Sequence, residues 1–248
     1  MKSLNYFFLA ALLAVLLSVG SVVNAQHAGD LLVGRTQQGK LRIAGFEVTQ
    51  TIVPLLPVSG LLRGWTDTDP GFDRVIDADP GRNLYPLSPG AQIWLEIVVV
   101  DPAFRVIDNS LQPLQQPGQR TLLGNDTLHT HVTWHINSAD PRFDPDKCVW
   151  EATFLLRDLG MTRYAVSDPF TMRFTNVTLH EADGDFDQDG DVDWRDFAFF
   201  VDCLAGVGGP PNPEETCALK CEITFDFDGD DDVDLEDGAP FQMAFTGD

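Results

Sequence analysis

Two stretches in the last quarter of the chain carry side-chain oxygens at a spacing that suits a hard divalent cation. One runs from Asp185 through Asp187, Asp189, Asp191 and Asp193 to Asp196; the other runs from Asp226 through Asp228, Asp230, Asp232 and Asp234 to Asp237. Each places carboxylates at positions 1, 3, 5, 9 and 12 of a twelve-residue loop, with valine at position 8. That is the spacing of an EF-hand-type loop, in which position 7 (Asp191 and Asp232) ligates through its backbone carbonyl. Ca²⁺ takes about 6–8 oxygen ligands, so alternating aspartates on a tightly wound loop match its demand. Without a counter-ion these carboxylates repel one another. The competing readings are a solvated acidic tail and a site for another hard divalent ion.

Self-similarity argues against a plain tail. Residues 185–206 match residues 226–247 at about half the positions, the mark of a repeated structural unit. Val192 and Val233 stand where paired loops would form a short β-bridge. Trp194, Phe197, Phe200, Val201 and Leu204 recur at helical spacing, which predicts an amphipathic helix leaving the first loop. The second repeat is less regular. Asp231 takes loop position 6, where the turn wants a positive φ that glycine adopts more freely, and Gly238 weakens the helix that follows. The second site is therefore expected to be the weaker or more plastic of the two.

These residues resemble the type I dockerin module, a tandem of loop-plus-exit-helix repeats that lack the entering helix of a full EF-hand. Asp196 and Asp237 occupy position 12, where that family carries Asp, and Gly184, Gly206 and Gly247 also fit. The resemblance spans residues 183–248. It implies two Ca²⁺ sites: Asp185, Asp187, Asp189 and Asp196 with the Asp191 carbonyl, and Asp226, Asp228, Asp230 and Asp237 with the Asp232 carbonyl. Cellulosomal dockerins carry small hydroxyl residues at positions 10 and 11 for cohesin recognition; here Trp194-Arg195 and Leu235-Glu236 stand there. Calcium binding thus transfers better than cohesin binding. The expected partner is a cohesin-like protein or the chain's own β domain; the alternative is a polysaccharide-degrading or carbohydrate-binding subunit carried by a dockerin, with a polysaccharide as its ligand.

The remaining features set the context. Lys2, an apolar run over residues 7–19 and Val23-Asn24-Ala25 predict a secretory signal peptide over residues 1–25, and hence a secreted, cell-surface or periplasmic protein. The apolar run is short for a bilayer span, and no other stretch is apolar enough. Four cysteines in an exported chain point to disulfides. Cys203 to Cys217 or Cys221 would staple the long insert between the repeats; Cys217 and Cys221 could instead form half a zinc site, with Cys148 isolated. Twenty of the 38 acidic and two of the 16 basic side chains follow Ala182, so −18 of the net −22 sits in the tail. Phosphate backbones need the opposite sign, so nucleic acid is not an expected partner.

Residues 26–181 are long enough for one domain with its own core. Strand-like runs at 41–47, 92–100, 127–137, 149–157 and 170–179, separated by Pro, Gly, Asp and Asn, predict a mainly β, sandwich-like domain ahead of the small helical module at 182–248. Residues 59–89 lack a pattern and are expected to be long loops. Within 127–137, Leu128, Thr130, Val132, Trp134 and Ile136 alternate with His129, His131, Thr133 and His135. The histidine face is either a solvated sheet surface or a Zn²⁺ or Cu²⁺ site on His129, His131 and His135, to which His27 or His180 could contribute. His129, His131, Trp134, Gly160 and Tyr164 also resemble a His-x-His-x-x-Trp repeat of bacterial surface-anchored proteins, which implies an exported β domain associated with metal handling. No catalytic motif stands out. Glu96, Glu151, Asp101 and Asp108 could serve acid–base chemistry, but the sequence places no pair of them opposite each other.

Overall fold

The computed structural model describes residues 29–45, 51–180, 182–213 and 217–246. The expected signal segment, His27 and the end of the 41–47 run lie outside them. Strands β1 (Leu31–Arg35), β2 (Leu41–Ala44), β3 (Ile52–Pro54), β4 (Leu56–Val58), β5 (Gly64–Asp67), β6 (Phe72–Arg74) and β7 (Ile93–Val100) come first. They are followed by β8 (Phe104–Ile107), β9 (Pro113–Leu114), β10 (Arg120–Gly124), β11 (His129–Thr130), β12 (Thr133–Asn137), β13 (Val149–Asp158) and β14 (Phe170–Thr175). Three helices close the chain: α1 (Trp194–Cys203), α2 (Ala218–Phe225) and α3 (Gly238–Ala244). The protein is therefore mainly β with a small helical part after it. Among the described residues no helix is long and apolar enough to cross a membrane.

The strands form three sheets, ordered β10-β7-β13-β14-β3, β4-β5-β12-β8-β9 and β11-β6-β1-β2. The first two share one apolar core. Phe104 of β8 stacks on Phe174 of β14 at 4.5 Å, and Trp134 of β12 lies 5.8 Å from Phe154 and 5.1 Å from Phe174. Aromatic pairs at such distances add to the burial of their area. Trp134 is fully buried, and its indole N–H donates to the Pro70 carbonyl at 3.1 Å. The small third sheet joins the same core through Phe72, 6.0 Å from Trp134.

Two expectations change. The span 59–89 is not only loop, since it supplies β5 and β6. These strands are three or four residues long, too short to show alternation, and their partners β1, β4, β11 and β12 lie elsewhere in the chain. The run 127–137 is not one strand. β11 pairs with β6, whereas β12 pairs with β5 and β8 in another sheet, so the chain changes sheets at residues 131–132.

Candidate metal centres

Both acidic loops are organised by their last aspartate. Asp196 is 1% exposed and accepts from the backbone N–H groups of Phe186, Asp187 and Asp193 at 2.7, 3.3 and 2.9 Å. Asp237, also 1% exposed, accepts from Phe227, Asp228 and Asp234 at 2.7, 3.4 and 2.8 Å. The loops thus share one hydrogen-bond plan at equivalent positions. Around each buried carboxylate, one oxygen from Asp185, Asp187 and Asp196, or from Asp226, Asp228 and Asp237, lies within 4.8 Å of the others. A second trio on each loop, Asp191, Asp193 and Asp196 or Asp232, Asp234 and Asp237, is equally close. Asp189 and Asp230 stand outside these trios; each accepts its own loop's N–H two residues on, from Asp191 and Asp232, at 3.3 Å. All the donors are hard oxygens, which fits Ca²⁺ and disfavours soft metals.

The backbone removes one expected asymmetry. Asp231 has φ 66°, as its position required, but Gly190 at the same place in the first loop has φ 97°. Two residues earlier the roles reverse: Gln188 has φ 59° and Gly229 has φ 76°. Each loop therefore holds one glycine and one side-chain-bearing residue in the left-handed region, and local strain does not single out the second loop. The shorter, glycine-led α3 remains as its irregularity.

The two repeats interlock. Val192 and Val233 are buried, yet among the described residues no bridge joins them. Instead the Val192 carbonyl accepts from Thr246 N–H at 3.0 Å, and the Val233 carbonyl accepts from Ala205 N–H at 2.9 Å. Each loop is tied to the segment that follows the other repeat's helix, at equivalent positions. Between them Phe186, Phe200, Phe225 and Phe241 form an aromatic core with Cys203 and Cys221. This sets the orientation of α1, which turns Asp196, Phe200 and Cys203 inward. Trp194, expected on the buried face, is 68% exposed, and Phe197 and Val201 are also exposed. The loop needs the Asp196 carboxylate, and that need overrides the apolar stripe.

Charge crowding is visible in single groups. Burial, and then the neighbouring carboxylates Asp189 and Asp196, raise the Asp187 carboxyl above its ordinary pKa. Asp228 is raised by burial and by Asp230 and Asp237. The first loop has partial relief in Arg195, whose guanidinium pairs with Asp189 at 3.2 Å; the second has Glu236 at that position. Were a divalent ion held there, Arg195→Ala would free Asp189 for it and remove a competing cation. We expect calcium affinity at the first loop to rise about two- to fivefold, the scale of an exposed ion pair. Calorimetric titration of the variant checks this, with unchanged or weaker binding as the contrary result.

The cysteines form two disulfides, Cys203–Cys221 and Cys148–Cys217, with none left free. Half a zinc site at Cys217 and Cys221 is therefore excluded, and Cys148 is not isolated: it bolts the helical module to the β domain beside β13. A helix also runs into the second loop, since α2 ends at Phe225 and the loop opens at Asp226. The dockerin resemblance did not imply it. A cleft of about 350 Å³ lies where the two parts meet, lined in part by Lys147, Asn176, Thr178, Asp187 and Lys220.

The histidines separate. His135 is fully buried; its Nδ1 accepts from Arg105 Nε at 2.9 Å and its Nε2 faces the Arg63 carbonyl at 3.4 Å. β12 lies between β5 and β8, and of the three histidines only His135 is fully buried rather than open to solvent. Burial and then the Arg105 charge lower the His135 pKa from 6.5 to about 4. The unfolded chain binds this proton more readily, so the neutral ring's contribution is complete above about pH 6.5 and is lost as pH falls towards 4. The full shift corresponds to about 3 kcal/mol. Urea unfolding between pH 7 and 4.5 should show a shallower loss of stability in His135→Gln than in the wild type; parallel losses would contradict it. His180 lies in the linker, 3.6 Å from Asp183. His129 and His131 instead meet Asp30, with a ligand atom of each within 4.8 Å of the others.

The four carboxylates open to acid–base work are held in place. Glu96 takes two hydrogen bonds from Arg157, at 2.7 and 3.0 Å, and Glu151 lies 3.7 Å from Arg173. Asp101 accepts from Lys147 and from Glu151 N–H, and Asp108 closes a turn with Ser110 and Gln112. Of the weaker resemblance, Trp134 is core and the Tyr164 hydroxyl accepts from Ser88 N–H. Comparison with known proteins found no matching family model, no matching curated protein and no matching solved structure.

Proposed function

We propose that this chain is an exported, non-catalytic calcium-binding protein. Its dockerin-like tail assembles around two Ca²⁺ ions and docks on the chain's own β domain. The observation that supports this most is the matched pair of buried position-12 aspartates, Asp196 and Asp237, each gathering three N–H groups of its loop and two further carboxylates. Asp185, Asp187 and Asp196 would hold one ion and Asp226, Asp228 and Asp237 the other. The ions would neutralise carboxylates that otherwise repel, and their binding free energy would become folding free energy. Two disulfides suit an oxidising compartment, where calcium is abundant and sites with Kd of about 10⁻⁴–10⁻³ M suffice. The Cys148–Cys217 bond favours the chain's own β domain over a cohesin-like protein as the tail's first partner. Calorimetric titration of the full chain should give two saturable calcium sites; heats that never saturate would refute the proposal.

A further inference from the structure

A second kind of donor set lies on the small sheet, away from the acidic loops. Asp30 immediately precedes β1, Asp73 lies on β6, and His129 lies on β11, directly opposite Asp73 in the strand pairing. Directly opposed residues of an antiparallel pair project from the same face. His131 follows β11. The order β11-β6-β1 therefore gathers residues from three distant parts of the chain at one edge.

The geometry converges on one carboxylate oxygen. The Asp30 side chain is only 3% exposed. Its Oδ1 accepts from Gly71 N–H at 2.9 Å, while its Oδ2 is buried with no hydrogen-bond partner. A buried acceptor in that state is costly unless something positive meets it. His129 Nδ1 and His131 Nε2 each lie 4.0 Å from this Oδ2, and Asp73 Oδ1 lies 3.8 Å from His129 Nδ1. The His131 ring is oriented from behind. Its Nδ1 stands 3.1 Å from both the Thr68 carbonyl and Asp69 Oδ1. Both of those groups are acceptors, so Nδ1 carries a proton, and in the neutral ring the Nε2 lone pair points towards Asp30. Metal-bound histidines are held in this way, with the outer nitrogen donating to a carbonyl or carboxylate. Gly71 makes room for the ring, since a Cβ there would stand 2.5 Å from His131 Cε1.

We infer that Asp30, His129 and His131, with Asp73 as a fourth oxygen donor, bind one divalent transition-metal ion, Zn²⁺ fitting best. Two imidazoles and two carboxylates make the N/O set that Zn²⁺ accepts in tetrahedral geometry. Ligand atoms about 2.0–2.1 Å from a tetrahedral ion stand roughly 3.3 Å apart, so the 4.0 Å pairs would close by roughly half an ångström through side-chain rotation. The ion would satisfy the orphaned Asp30 oxygen and clip the start of β1 to β11 across β6. The inference does not depend on calcium in the tail, because no ligand is shared.

The test is Zn²⁺ titration of the full-length protein with Ca²⁺ saturating, alongside Co²⁺ as a spectroscopic probe. The expected result is one Zn²⁺ per chain and tetrahedral Co²⁺ bands. Asp30→Asn and His131→Ala should weaken uptake at least tenfold, and Glu151→Gln, at an exposed carboxylate outside both donor sets, should leave it unchanged. If His131→Ala fails to fold, His129→Gln carries the test, because that side chain is 42% exposed and replaceable without disturbing the core. No saturable Zn²⁺ uptake, or uptake unaffected by Asp30→Asn and His129→Gln, would overturn the inference.

Discussion

Asp237→Ala should abolish calcium uptake at the second loop and cost the helical module about 3 kcal/mol or more. The residue does two jobs. It accepts three backbone N–H groups, from Phe227, Asp228 and Asp234, and it supplies a carboxylate to the Asp226–Asp228 group. Alanine leaves those donors without partners in a site that is 1% exposed, and each buried unsatisfied group costs about 1–3 kcal/mol. Loss of the ion adds to this, since a ligand at ten times its Kd stabilises by about 1.4 kcal/mol. The effect should spread to the first loop, because Val233 and Ala205 share a hydrogen bond and Phe241 stacks on Phe200 at 4.9 Å. Asp237→Asn separates the two jobs: it keeps an acceptor for the backbone but drops the charge, so it should lose calcium with less loss of structure. Calorimetry and circular dichroism on both variants check this. Wild-type calcium affinity in Asp237→Ala would contradict it.

Removing the Cys148–Cys217 bond should have an effect of similar size by a different route. The bond joins residues 69 apart. A cross-link over that length removes unfolded-chain entropy worth about 4 kcal/mol, against about 3 kcal/mol for the 18-residue loop of Cys203–Cys221. Cys148 stands just before β13, and Cys217 is the N-cap of α2, so the bond carries the mechanical coupling between the two parts of the protein. The Cys148→Ser/Cys217→Ser double variant should unfold in two separate steps, the helical module first, where the wild type unfolds with the parts coupled. Denaturant unfolding under non-reducing conditions measures this. A variant that unfolds like the wild type would show that non-covalent packing alone holds the parts together.

Some of this was legible in the chain itself. Long strands announced themselves: the alternation through Val149–Asp158 matches a strand whose buried residues recur every second position. The paired acidic loops were legible because a hard divalent cation would demand oxygens at fixed positions within a dozen residues. What was not legible depended on distant partners. Phe72-Asp73-Arg74 carries no pattern of its own and becomes a strand because β1 and β11 flank it. His135 shares an alternation with His129 and His131, yet the change of sheet at residues 131–132 sends it into a buried pairing with Arg105. Asp30 and Asp73 could not be linked to the histidines by spacing, since only the sheet brings them together. Nor could Cys148 be linked to Cys217. Asp231 looked like a local flaw until Gln188 proved to hold the matching left-handed position in the other loop.

In the proposed function, the paired aspartate loops need divalent ions to set the fold around α1, α2 and α3. Far-ultraviolet circular dichroism of the oxidised full-length protein, recorded before EDTA, after EDTA and after calcium is restored, addresses this need most directly. Chelation should remove most of the helical signal while the β contribution stays, and restored calcium should bring the helices back. An unchanged spectrum through all three steps would contradict this.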